Sequence, residues 1–313
     1  MPCALCSAQI NVDMKKLLTI LIIILTGVTL YAQQIPLSEN YYMDKYSLSP
    51  SYAGNFNRGY LITGYRSDWS GIDGGPKTLR ISYNNNFMQK SGYGGKVVYD
   101  KAGIFSQLYI MGSYSYNLQV NQDHHIMFGL SAGLYKNRLN LLDYYNDPTY
   151  TFDPSLISQD VKSKLKFMSD FSVVWTWKGA EAGFMFSNIS LGDASYKDVV
   201  LKYNPLANFQ FHATYLYSIN ENWDVAPLAI IRGGKYIMSQ FEIATQVMYL
   251  KRFRGSLVFR DPGILGFGIG ANIDKGIKIG YNFNFATNVV LGAFNNHEIS
   301  IGFNIFEYLH KSE

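Results

Sequence analysis

Between Gln107 and Leu134 the chain alternates with a period of two. Leu108, Ile110, Gly112, Tyr114, Tyr116 and Leu118 fall on one side, with Gln107, Tyr109, Met111, Ser113, Ser115 and Asn117 on the other. After a polar turn at Asn121-Gln122-Asp123, Phe128, Leu130, Ala132 and Leu134 alternate with Gly129, Ser131 and Gly133. Such a period gives each strand one apolar face and one small or polar face. In a water-soluble sandwich the apolar face points into a core, whereas in a transmembrane barrel it points into lipid and the polar face lines the lumen. The alternation alone fits both.

The same signature predicts strands at 59–66, 77–87, 93–100, 105–118, 124–139, 166–178, 181–190, 207–219, 223–233, 238–250, 252–261, 264–273, 276–285 and 296–306. That makes about fourteen, an even number, as in single-chain bacterial barrels. Connections after even-numbered strands are short, for example Asn121-Gln122-Asp123, Gly179-Ala180, Asn220-Glu221-Asn222 and Asp274-Lys275. Several after odd-numbered strands are long: Arg66 to Lys77, Asn140 to Leu165, Leu191 to Leu206 and Ala286 to Asn295. Short periplasmic turns opposite long external loops mark an outer-membrane barrel. Pro227, inside a strand, predicts a local break, because proline cannot donate to the ladder. Gly266, Gly268 and Gly270 predict small lumen-side positions that relieve crowding or leave room for a plug. The stretch Gln33 to Asn57 lacks alternation and is aromatic and polar, which predicts a short helix or extended segment inside the lumen or below the barrel.

Composition sharpens this picture. Only 16% of the residues are charged and 16% are aromatic, with 25 Tyr and 28 Gly; an ordinary soluble domain is about a quarter charged. No stretch after residue 32 approaches the ~20 apolar residues of a membrane-spanning helix. The expected fold is therefore an all-β, transmembrane antiparallel barrel of outer-membrane type. Lys15-Lys16, the apolar run Leu17 to Leu30 and the small residue Ala32 have the form of a cleavable signal peptide. Cleavage after Ala32 leaves Gln33 first, with Met14 as the natural start. The expected organisation is an upstream extension and signal over 1–32, a periplasmic or lumenal segment over 33–58, the barrel over 59–306 and a tail over 307–313. The expected location is the bacterial outer membrane.

Charge and candidate chemistry add little. The net charge of +4 becomes +3 without Asp13, Lys15 and Lys16, too mild to argue for nucleic acid. Both cysteines, Cys3 and Cys6, precede the apolar run, so the mature chain has no thiol chemistry and no lipid-anchoring cysteine. The glycines of 266–270 lie inside a strand rather than before a helix, which excludes a dinucleotide loop. His124 and His125 are adjacent, point to opposite faces of a strand and cannot chelate one metal. Asp143, Asp147, Asp153 and Asp160 lack the close spacing and glycine turn of a calcium loop. Tyr144, Tyr145, Tyr150 and Phe152 in the same loop form a candidate partner-binding surface. Trp69, Trp175, Trp177 and Trp223 near strand ends suit an interfacial girdle. With no nucleophile elbow, metal set or cofactor motif, the expected protein is not an enzyme and carries no cofactor.

A set of ordered motifs resembles the PorP/SprF family of outer-membrane proteins of the type IX secretion and gliding machinery of Bacteroidetes-type bacteria. Ser49-Pro50-Ser51-Tyr52-Ala53-Gly54 is similar to the family's Asn-Pro-Ala-Tyr-Ala-Gly. Arg66 and Trp69, Gly75-Pro76-Lys77-Thr78, Asp100 and Gly103, Tyr114 and Tyr116, and His297-Glu298-Ile299-Ser300-Ile301 follow in order. Ser49, Ser51 and Asp68 depart from the usual pattern. The resemblance implies a barrel partnered with other secretion components and with a secreted surface protein, an adhesin whose C-terminal sorting domain docks on the barrel. The residues themselves suggest that Arg66 and Trp69 are packing anchors at a loop base. In a membrane Arg66 needs a carboxylate, with Asp68, Asp73 and Asp100 as candidates. A pore for small or hydrophobic solutes is the competing expectation, followed by a soluble sandwich.

Overall fold

The computed structural model describes residues 38–56, 58–140, 160–190, 208–234, 237–274, 276–287 and 295–309. Fourteen antiparallel strand positions close into a barrel. In chain order they are β1 (Tyr60–Asp68), β2 (Lys77–Met88), β3 (Ser91–Ala102), β4 (Phe105–Gln119), β5 (His124–Asn140), β6 (Lys166–Trp177) and β7 (Ala180–Ser190). β8 (Asn208–Tyr215), β9 (Trp223–Gly234), β10 (Ile237–Tyr249), β11 (Phe253–Arg260), β12 (Ile264–Asp274), β13 (Ile277–Ala286) and β14 (Asn295–Asn304) complete it. Every strand pairs with its sequence neighbours, and β14 closes on β1 in unbroken register from Tyr60↔Asn304 to Asp68↔Asn296. Closure leaves no edge with unpaired backbone groups, the condition for strands to cross a membrane.

The alternation has the orientation expected of a barrel in lipid. Along β4, Ile110, Tyr114, Tyr116 and Leu118 are exposed on the outer wall, while Tyr109, Met111, Ser113 and Ser115 are buried inside. β5 does the same, with Phe128, Leu130 and Leu134 outside and Met127, Ser131 and Tyr135 inside. Trp175, Trp177 and Trp223 lie on the outer wall at the short-turn end and Trp69 at the long-loop end, as two interfacial girdles require. His124 stacks outward on Trp175 and Trp177, whereas His125 approaches Asn117, so the two imidazoles do diverge.

The break at Pro227 lies in the ladder beside it. β8 stops at Tyr215 and resumes for Tyr217–Ser218, with Leu216 between. Tyr217↔Val225 and Leu228↔Thr214 keep one register across the gap. On its other flank Pro227 stays paired with Thr245. The ladder is therefore lost on the flank where the missing N–H matters.

Residues 38–56 run inside the barrel as two short 3-10 turns, Asn40–Tyr42 and Pro50–Tyr52, flanking a single turn of helix, α1 (Lys45–Leu48). Their direction can be followed from their partners. Ser38 and Glu39 hydrogen-bond Glu298 near the long-loop end of β14. Ala53 and Asn55 meet Ser115 and Asn117 toward the short-turn end of β4. The segment thus traverses the lumen from the long-loop end downward and feeds β1 at the short-turn end.

Candidate functional site in the plugged lumen

Two kinds of bond hold this plug. The first is apolar. Tyr41, Leu48 and Tyr52 pack with Met127, Val174, Leu228, Ile230, Ala244 and Val258, inward residues of β5, β6, β9, β10 and β11. Fully burying a Leu-sized side chain is worth about 1.5–3 kcal/mol, so an empty lumen would expose a costly apolar stripe to water. The second is polar and reaches strands around the circumference: Asn40 to Ser300 and Asn282, Asp44 to Ser82, Tyr46 to Ser113, Leu48 carbonyl to Gln210, and Ser51 to Ser172.

At the long-loop end the plug enters a buried ionic network. Glu39 accepts from Arg260 at 2.6 Å and Arg66 at 3.3 Å. Arg260 also reaches Glu242 at 2.7 Å, and Glu242 binds Arg232 at 3.0 Å. Arg66 is held further by Asp68 at 2.8 Å and Glu298 at 3.6 Å. Of the three carboxylates expected for Arg66, Asp68 is therefore a partner, Asp73 is exposed in the loop, and Asp100 accepts from Thr78 instead. Glu39 and Glu298 escaped the sequence reading. Glu298 stands directly across from Arg66 in the closing register, a pairing that only closure creates.

At the other end Lys45 and Tyr52 both bind Glu181, at 2.7 and 2.8 Å, and the Tyr52 hydroxyl lies 2.9 Å from His212 Nε2. Tyr52 is buried and its phenol donates to the Glu181 carboxylate, which can only accept. Its one proton goes to Glu181, which makes His212 Nε2–H the donor to Tyr52. His212 Nδ1 is left as a buried acceptor with no hydrogen-bond partner among the described residues.

The motif residues divide between three places. Pro50, Tyr52, Ala53 and Gly54 belong to the plug. The Gly54 N–H donates to Asn84 Oδ1, and Gly54 has φ +68° with its α-carbon against β2 and β3; a side chain there would meet the Asn85 carbonyl at 2.5 Å and Gly92 at 2.6 Å. Only glycine combines that dihedral with that approach. Ser51 finds Ser172, and the Ser49 hydroxyl is buried with no partner among the described residues. Arg66, Trp69, Gly75, Pro76, Thr78, Asp100 and Gly103 form a knot at the base of the β1–β2 loop. Asp68 N–H donates to the Pro76 carbonyl at 2.8 Å, Gly103 N–H to Gly74 at 2.8 Å, and Trp69 N–H to Asn296 at 3.4 Å. Tyr114 and Tyr116 lie on the outer wall. Tyr144, Tyr145, Tyr150 and Phe152 lie outside the described residues.

Inward glycines form the plug's footprint. A side chain on Gly94 would meet the Tyr46 ring at 2.6 Å, one on Gly266 would meet Asn284 and Glu39, and one on Gly129 would overlap the backbone of Pro50 and Ser51. Gly129→Ala is accordingly expected to cost about 1–3 kcal/mol and to raise protease cleavage within 38–56. Unchanged cleavage and stability would show that the plug does not bear on β5.

A cavity of about 170 Å³ remains beside the plug in the long-loop half of the lumen. Ile62, Val98, Tyr109, Met111 and Met185 supply an apolar wall, and Arg80, Lys96, Arg232, Asp44, Asp170 and Glu298 its charges. Lys96 faces Asp170 at 3.6 Å. The Ser82 hydroxyl donates to Asp44 Oδ2 at 2.5 Å. The other oxygen, Oδ1, is buried without a hydrogen-bond partner among the described residues. Among the described residues no cluster of histidine, cysteine or carboxylate could hold a metal.

Solved structures that resemble this one are outer-membrane barrels. The CymD monoaromatic hydrocarbon channel matches with a TM-score of 0.50 at 12% identity, over 88% of this chain and 93% of that one. The Acinetobacter baumannii outer membrane protein Omp33 matches at 0.48 and 9% identity, over 78% and 96%. A Pseudomonas aeruginosa FadL homologue matches at 0.42 and 11%, over 82% and 94%. At these identities the likeness is one of fold. No curated protein sequence matches the chain. The family model for the type IX secretion system membrane protein PorP/SprF matches residues 30–303, nearly the whole barrel and its plug. The chain belongs to the PorP/SprF family of type IX secretion system membrane proteins.

Proposed function

We propose that this protein is a non-enzymatic docking barrel of the bacterial outer membrane, exported through the signal over 14–32 and anchoring a secreted surface protein by that protein's C-terminal domain. The long loops then face outward, and the docking surface is the long-loop end, where other type IX components can also meet it. The observation that carries this reading is the plug, bonded to the wall at both ends of the lumen. A diffusion pore needs a continuous aqueous path, and this lumen is crossed by a segment whose release would break buried ion pairs and expose an apolar stripe. The family supports a role in secretion.

Deleting the gene is expected to remove one large surface protein while uptake of small solutes stays unchanged. The purified full chain is expected to stay closed in planar bilayers. Retention of every surface protein, combined with reduced uptake of a small solute, would replace docking with transport.

A further inference from the structure

We propose that the cavity beside the plug is a receptor pocket for the carboxy-terminal residue of an extended peptide, one bearing a large apolar side chain. The proposal rests on the docking function above and names the chemistry that the long-loop end takes. Three observations converge on it. The cavity volume, about 170 Å³, is in the class of cavities that accept a benzene-sized group, ~150 Å³. Inward positions of a barrel lumen are ordinarily polar, yet Val98, Tyr109, Met111 and Met185 give this cavity an apolar wall. Asp44, 5% exposed, carries a buried oxygen without a hydrogen-bond partner among the described residues. An unmet buried acceptor destabilises the fold unless a donor arrives.

These features match one amino-acid residue at a chain end. Its side chain fills the apolar wall, its backbone N–H meets Asp44 Oδ1, and its carboxylate lies toward Arg80 and Lys96. A bidentate guanidinium is the usual partner of such a carboxylate. The plug lies between this pocket and the short-turn end, so a ligand bound here is held rather than passed on.

The test uses the full chain in detergent and isothermal titration with acetyl-Gly-Ser-Ala-Phe as the free acid. The same peptide as its C-terminal amide and 3-phenylpropanoate, which has ring and carboxylate but no N–H, complete the probe set. The free acid is expected to bind, and the amide and 3-phenylpropanoate to bind at least about tenfold more weakly. Met111→Trp, which fills the pocket, is expected to abolish binding, and Asp44→Asn, which keeps the volume, to weaken it. Heat-dependent gel migration verifies that both variants keep a folded barrel. Equal binding of 3-phenylpropanoate, undiminished binding by Met111→Trp, or no binding of the free acid would each overturn the pocket. In cells, a lost surface protein fully restored by the Met111→Trp chain would leave docking standing and remove the pocket's part in it. Peptide binding that Met111→Trp abolishes would uphold the pocket even if gene deletion left every surface protein in place.

Discussion

Removing residues 38–56 is expected to turn a closed barrel into a conducting one, read as discrete current steps in planar bilayers where the full chain gives a flat baseline. The wall has its own reason to survive: its strands pair around a closed ring, and none of those backbone bonds involves the plug. Fourteen strands enclose more space than their own inward side chains need to fill. Here the inward set is unusually small, with Ser113, Ser115, Ser131, Ser172, Gly129 and Gly266 pointing at the plug or lying under it. The deleted lumen would fill with water, and the exposed Met127, Val174, Leu228, Ile230, Ala244 and Val258 would lower stability without opening the ring. A deletion variant that keeps its heat-resistant folded form yet passes no current would show that the plug is not what closes the barrel.

The wall was largely legible in the residues, and the lumen was not. Period-two alternation reports which side of a strand a residue occupies, so the lipid face, the strand positions and the break beside Pro227 all follow from local spacing. The plug follows no such code. Glu39 bonds Arg260, and Ser38 bonds Glu298, across more than half the chain, through contacts that exist only once the ring has closed. The same holds for Glu298 beside Arg66. One local trace of the plug was present all the same. Leu228-Ala229-Ile230-Ile231, Val173-Val174-Trp175 and Leu257-Val258-Phe259 are apolar on both faces, whereas a water-filled lumen calls for polar residues on one. Their inward members, Leu228 and Ile230, Val174 and Val258, pack with the plug. Reading failed alternation as a covered inner face would have located the plug's apolar seat, although not its path.

Arg260→Ala is expected to be the most damaging single substitution in the lumen, and the reason lies in the charge count. Arg66, Arg232 and Arg260 face Glu39, Asp68, Glu242 and Glu298, three cations against four carboxylates. Arg260 stands between Glu39 and Glu242, and all three side chains are 1% exposed. Its loss leaves two cations for four carboxylates, with two of those carboxylates stripped of their shortest ion pair and shut off from water. Breaking a buried pair from one side typically costs about 3–5 kcal/mol. Glu39→Gln works the other way. It leaves three cations and three carboxylates, retains the plug's shape, and preserves an oxygen that Arg260 can still use, so its cost is expected to be well below that of Arg260→Ala. Urea unfolding followed by loss of the heat-resistant gel form would measure both. If the charge count governs this network, Arg260→Ala combined with Glu39→Gln will cost less than the two single changes added together, because Glu39→Gln removes one of the carboxylates that Arg260→Ala strands. Simple additivity, or a larger penalty for Glu39→Gln than for Arg260→Ala, would mean that the hydrogen-bond geometry of Glu39, and not the charge balance, holds the plug in the barrel.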